Sequence, residues 1–184
     1  MRKIKLLFKG ISEIVGTSDI GLLVLVDEEE KRQIVVTCDK YMMRQLLLRM
    51  QKKVRTERLL PEVLWQALKA DGTDVYEILI THLLEGEYQA LLSCQQTLHS
   101  IPLRASDAVL LSYISGLPIY IDADLMARQS VAFQPKSKAL ALPVNVISNE
   151  MLSKALEDAI KKENYEQASQ LHDELERRKK VNDK

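Results

Sequence analysis

The chain has little of what usually marks a special environment. Its 184 residues include two cysteines, Cys38 and Cys94. They form no CxxC, no histidine stands at zinc-ligand spacing from them, and two are too few for a disulfide scaffold. They read as reduced thiols packed as small hydrophobes. Net charge is lacking too, with 26 basic residues against 26 acidic ones, which argues against a protein that coats nucleic acid or an anionic membrane with its whole surface. No apolar run approaches the ~18 residues of a membrane span. The basic start, Met1 to Gly10, holds an apolar run too short for a signal-peptide core. No membrane association and a cytoplasmic location are therefore expected. There is no Walker A loop and no GxGxxG, so nucleotide-dependent chemistry has no support.

What is present is an ordinary globular composition, 46% hydrophobic and 28% charged, at a length that suits one domain with an appendage. Up to about Asp122 short β-rich runs alternate with helical ones. The pattern predicts strands over Lys3 to Ile14, Gly21 to Asp27 and Arg32 to Cys38, with Glu28 to Lys31 as a turn. A helix is expected over Asp39 to Val54, where Met42, Met43, Leu46, Leu47, Met50 and Val54 share one face. A second starts at Pro61 and ends at Asp71-Gly72. A hairpin follows, Thr73 to Leu84 and Glu87 to Cys94 around Glu85-Gly86, and then a strand over His99 to Leu103. Ser106 is expected to cap an apolar helix that stops at Gly116 ahead of Pro118, before a last strand, Pro118 to Asp122. Residues 131–149 read as a connector lying on the first domain, since a free linker is usually more polar, and from about Asn149 the chain is charged and helical.

The order strand, polar turn, strand, helix occurs twice, as GLLVLVDEEEKRQIVVTCDKYMMRQLL and as EYQALLSCQQTLHSIPLRASDAVLLSY. Ile34 falls opposite Ile101, and Asp39-Lys40 opposite Ser106-Asp107. The expected fold class is α+β, with two related sheet-and-helix units arising by internal duplication and a C-terminal helical hairpin. The expected domains are 1–130, the connector 131–149 and the hairpin 150–184.

The strongest local charge lies between Lys40 and Arg58, where Lys40, Arg44, Arg49, Lys52, Lys53, Arg55 and Arg58 face one acid, Glu57. On a continuous helix most of these cations would lie opposite the apolar stripe, where they could contact phosphates. The alternative is a solvated face, and Tyr41 is the one aromatic available for base stacking.

Three segments between Thr73 and Asp122 carry a family resemblance: DVYEILITHLLEGEYQALLSC, IPLRASDAVLLSY and GLPIYID. They resemble, in turn, the hairpin, the "D-x-R-P-S-D-A-I-A-L-A" signature and the following strand of the bifunctional nucleases of bacteria and plants. The likeness covers about the first 145 residues. It implies hydrolysis of DNA or RNA. Arg104, Ser106 and Asp107 would then lie at the site, with Arg104 neutralising phosphate and Asp107 offering a carboxylate to substrate or to Mg²⁺ or Mn²⁺. The structural alternative gives Ser106 and Asp107 to the helix N-terminus and Arg104 to a local ion pair. Two family elements are missing. Arg58-Leu-Leu-Pro-Glu62 stands where an Arg-Pro-x-Thr-His-Asp run is usual, and Thr37-Cys-Asp-Lys stands where Gly-x-x-Glu-Ala opens the first helix. These departures favour a second expectation, a catalytically inactive adaptor on the same scaffold. Glu62, Asp122 and Asp124 are further carboxylate candidates, and His82, His99 and His172 have no ligand or dyad spacing.

The tail, Leu152 to Lys180, is similar to the UVR motif of UvrB, UvrC and some Clp ATPases. Asn164-Tyr165-Glu166-x-Ala168 and Leu171-His172-Asp173 carry the match, with His172 in place of the usual Arg. Two helices of this length bury too little apolar surface to stand alone. The hairpin is therefore expected to self-associate or to dock on a protein partner through Leu156, Ile160, Tyr165, Glu166, Ala168, Leu171, Asp173 and Leu175; the alternative is a solvated, salt-bridged tail. Homo-oligomers are also expected, because a β-rich domain has sheet edges to cover.

Overall fold

The computed structural model describes residues 2–13, 20–51, 54–70 and 76–133, with single positions between 153 and 176. Strands β1 (Lys3–Glu13), β2 (Ile20–Asp27) and β3 (Arg32–Asp39) form an antiparallel meander. Asp27 closes its second turn, its carboxylate accepting the N–H groups of Lys31 and Arg32 at 2.8 and 3.1 Å. From Ile20 to Val26 every residue of β2 is buried. That explains an unbroken apolar run there, because alternation belongs to strands with one wet face.

Helices α1 (Lys40–Met50) and α2 (Leu60–Ala70) lead to a second meander, β4 (Tyr76–Leu84), β5 (Glu87–Cys94) and β6 (Ser100–Arg104). The β4–β5 turn takes positive φ at Glu85 (50°) and Gly86 (84°), as a tight two-residue hairpin requires. The chain continues through α3 (Ala105–Ser115), β7 (Ile119–Asp122), α4 (Ala123–Gln129) and the short β8 (Val131–Ala132).

All eight strands belong to one sheet, in the order β6-β5-β4-β7-β1-β2-β3-β8. The two meanders thus lie side by side with β7 between them, parallel to β4 and antiparallel to β1. The architecture is α+β. Residues of α1 and α3 join one core with the strands, in which Leu23, Leu25, Ile34, Leu46, Ile78, Ile80, Ala108 and Ile121 are inaccessible. Gly21 allows close approach: a Cβ there would stand 2.7 Å from Met43 Sδ and 2.9 Å from Cys38 Sγ. Both cysteines are buried and free, and burial pushes the Cys38 thiol up to about 12. Among the described residues no helix is long and apolar enough to cross a membrane.

Three expectations need correction. The first helix ends at Met50, four residues early, with Gln51 as C-cap and Val54 in a bend. The reason is tertiary: the chain must turn there to bring Glu62 back onto Arg49. Ser106 does not cap its helix. Strand β6 runs on to Arg104, which takes the N-cap position, so Ser106 falls inside the first turn. A helix, α4, follows β7 directly. Asp122 caps it by accepting from the N–H groups of Asp124 and Leu125, both at 3.0 Å, and Arg32 closes its other end on the carbonyls of Ala127 and Ser130. The first residues of the expected connector, Val131 and Ala132, form β8 in the sheet beside β3, on the first domain; residues 134–149 lie outside the described residues.

Each meander is followed by a helix. The N-cap positions are Asp39 and Arg104, so opposing Ile34 to Ile101 is two residues out of step with the caps.

Candidate functional site

Two strand-to-helix junctions build the site. Asp39 ends β3 and caps α1, its Oδ1 accepting the Met42 N–H at 2.7 Å. Arg104 ends β6 in extended backbone (φ −65°, ψ 144°) and gives α3 no side-chain cap. Its guanidinium reaches along the first turn instead. Nε donates to Asp107 Oδ2 at 2.6 Å and Nη2 to Oδ1 at 3.3 Å, a fork matched to a carboxylate. Nη1 stands 3.6 Å from Asp39 Oδ2. One arginine therefore ties together the starts of α1 and α3.

The Arg104 side chain is 63% exposed. Its Asp107 hydrogen bond, assisted by the charges of Asp107, Asp39 and Glu87 and opposed by partial burial, holds its pKa above the usual arginine value. Glu87, on β5, thereby joins the cluster electrostatically. The start of α3 carries backbone N–H groups without a side-chain cap, which together with the helix dipole favour an anion.

Of the three residues expected here, Arg104 and Asp107 are brought together, while Ser106 is buried. Tyr88, one residue before Gln89, the partner of Arg104 in the β5–β6 register, faces the other side of the sheet and belongs to the core. Sequence reasoning missed Asp39 and Glu87 as members of the site. The signal for Asp39 was an acid between a β run and a helical run, which marks an N-cap.

The basic candidates separate. Lys40 and Arg44 are exposed on the first turns of α1, beside Asp39. Arg55 and Arg58 are exposed in the link between α1 and α2, off the helix, and Lys52 and Lys53 lie outside the described residues. Arg49 is no phosphate contact. Its side chain is 4% exposed. Nε and Nη2 donate to the two oxygens of Glu62 at 2.8 and 2.7 Å, and Nη1 donates to the carbonyl and side-chain oxygen of Gln45. It staples α1 to α2.

That pair occupies Glu62, and the α4 cap occupies Asp122, so neither is offered to a metal. Among the described residues no three of His, Cys, Asp and Glu gather where they could hold an ion. Arg104 already supplies the positive charge between Asp39 and Asp107. The residues described do not fit a resident Mg²⁺ or Mn²⁺.

In the tail, Leu156, Ala159 and Ile160 are helical, as are Tyr165, Ala168, Asp173 and Leu175; Glu166 and Leu171 lie outside the described residues. Glu163 has φ 57°, and its N–H bonds to the Ile160 carbonyl at 3.0 Å. Ala159 and Ala168 are buried, while Ile160 and Tyr165 are exposed.

Comparison with protein families matches residues 23–134 to the bifunctional nuclease domain and residues 150–181 to the UvrB/UvrC motif. No curated protein matches the chain.

Proposed function

Because the chain belongs to the bifunctional nuclease domain family, we propose that it hydrolyses phosphodiester bonds of DNA or RNA where α1 and α3 begin, and that its tail docks a protein partner. The observation that carries this reading is Arg104, an open guanidinium at the uncapped start of a helix with carboxylates on either side.

A phosphate arriving there meets Arg104 and the first-turn amides of α3, including that of Ser106, as donors for its charged oxygens. Asp107 accepts the proton of the attacking water. The water oxygen bonds to phosphorus, one P–O ester bond breaks, and the departing oxygen takes a proton. Arg104 must then leave Asp107 for the phosphate. An exposed pair can do this at small cost, since such pairs contribute roughly 0–1 kcal/mol. Lys40 and Arg44 supply positive charge along the approach, offsetting Asp39 and Glu87, and Arg55 and Arg58 extend it. The two meander-and-helix units are read as products of one duplication and the tail as a helical hairpin.

The test incubates purified protein with single- and double-stranded DNA and RNA, in Mg²⁺, in Mn²⁺ and in chelator. The reading expects cleavage that Asp107→Asn and Arg104→Ala each abolish with circular dichroism unchanged. Cleavage indifferent to both substitutions contradicts the site. No cleavage under any condition favours the second reading, a catalytically inactive adaptor. The structural use of Glu62 and Asp122 and the missing His-Asp element support that alternative.

A further inference from the structure

Helix α2 is apolar on two sides. One side, with Trp65 and Leu68, is partly buried, and Trp65 meets Tyr76 edge to face at 6.4 Å. Leu60, Val63, Leu64 and Ala67 form the other, at the i, i+3, i+4, i+7 spacing of a single face. All four are exposed, Leu60 by 70%. The two charges of the helix, Glu62 and Lys69, stand two turns apart on the side away from this stripe. Single exposed leucines need no explanation, but an uncharged four-residue stripe marks a contact surface.

The surroundings of the stripe select its occupant. Residues 52–58, just before α2, hold four bases and one acid, and Lys69 stands at its far end. A second α2 laid on the first would bring like charges together. Residues 157–176 of the tail hold seven acids and two bases, the four bases at 177–180 following beyond them. They also display Ile160 and Tyr165, the latter 70% exposed. Among the described residues the α2 stripe, Ile160 and Tyr165 are all exposed. The eighteen residues 134–151 between Phe133 and the tail limit its reach to about 60 Å, enough to cross to a neighbouring molecule.

We propose that the exposed stripe of α2 receives residues 157–176 of a second copy of this chain, apolar side chains in the middle and basic residues around α2 against acids of the tail. This deepens the docking role given to the tail above by naming what it docks on. The nuclease reading is scored by cleavage and stands or falls separately.

The experiment is sedimentation of the full chain across the micromolar range. Self-association is expected, weakened about tenfold or more by Leu64→Glu, a surface change checked by circular dichroism. The paired variants Arg55→Glu/Arg58→Glu and Glu157→Lys/Glu163→Lys should each associate poorly alone. Mixed together they should associate again, because the unaltered α2 of one then meets the unaltered tail of the other. A chain that stays monomeric overturns the proposal, as does Leu64→Glu without effect. Loss of association in Leu64→Glu with no recovery on mixing also overturns it, since the occupant is then something other than the tail.

Discussion

Two arginine–carboxylate pairs show what the same chemistry does in two settings. Arg49 and Glu62 lie in the packed angle between α1 and α2, with 4% and 11% of their side chains exposed. The hydrogen bonds of the Arg49 guanidinium to Glu62 and Gln45 stay within the two helices. Arg104 and Asp107 form the same fork at the surface, 63% and 38% exposed. Removing one partner of a buried pair strands a charge in a poor solvent for it, so the pair holds the scaffold. An exposed pair is screened and water competes for it, so a ligand can compete as well. Burial, not residue type, separates the staple from the site.

Substitutions on either side sharpen that contrast. The largest effect is expected for Glu62→Ala, which leaves Arg49 buried and unpaired; urea unfolding should register a loss of about 3–5 kcal/mol. The double change Arg49→Met/Glu62→Leu should recover most of it. If Glu62→Ala costs no more than a surface substitution, the staple is misread.

Gly21→Ala probes the close packing at the foot of α1. Its new methyl would press on Met43 and Cys38, and overpacking of this kind costs about 1–3 kcal/mol. A melting temperature equal to that of the parent protein would mean that the Met43 side chain swings aside freely.

Arg104→Ala should change stability by less than about 1 kcal/mol and yet weaken binding of nucleic acid about tenfold or more. Its counterpart Arg44→Ala, a change of one phosphate-facing charge, should lower the salt dependence of binding by roughly one unit of slope. Equal losses of stability from Arg104→Ala and Glu62→Ala would erase the distinction between the two pairs.

The last effect is confined to alkaline pH. The Cys38 thiol is raised from 9.0 to about 12 by burial and by Asp39. Below pH 9 both folded and unfolded chains keep the proton. Between pH 9 and 12 the unfolded chain releases it first, so stability falls as pH rises. Cys38→Ala should flatten that fall in unfolding midpoints measured across the window; an unchanged slope would assign it to other groups.

The same contrast explains what could be read from the sequence. Strands β1 to β7 and the turns at Glu28 to Lys31 and Glu85-Gly86 were legible, because alternation, apolar runs and turn residues are local signals. The fate of the cations was not. Arg49 differs from Arg44 only in that α2 folds back against it, and its partner stands thirteen residues away. Ser106 has the chemistry of a cap, but β6 runs to Arg104 and moves the cap position two residues earlier. Helix α4 escaped notice because it is a seven-residue helix whose cap, Asp122, also ends a strand. At the site, Arg104 and Asp107 are three apart and could be paired by eye. Asp39 reaches them only through the packing of α1 beside α3.

The most direct measurement titrates a fluorescent oligonucleotide with parent protein and with Arg104→Ala at one fixed salt concentration, following anisotropy. The account predicts affinity reduced about tenfold or more in the variant, with an unchanged unfolding midpoint. A variant that binds as tightly as its parent would contradict the placement of the phosphate site at Arg104.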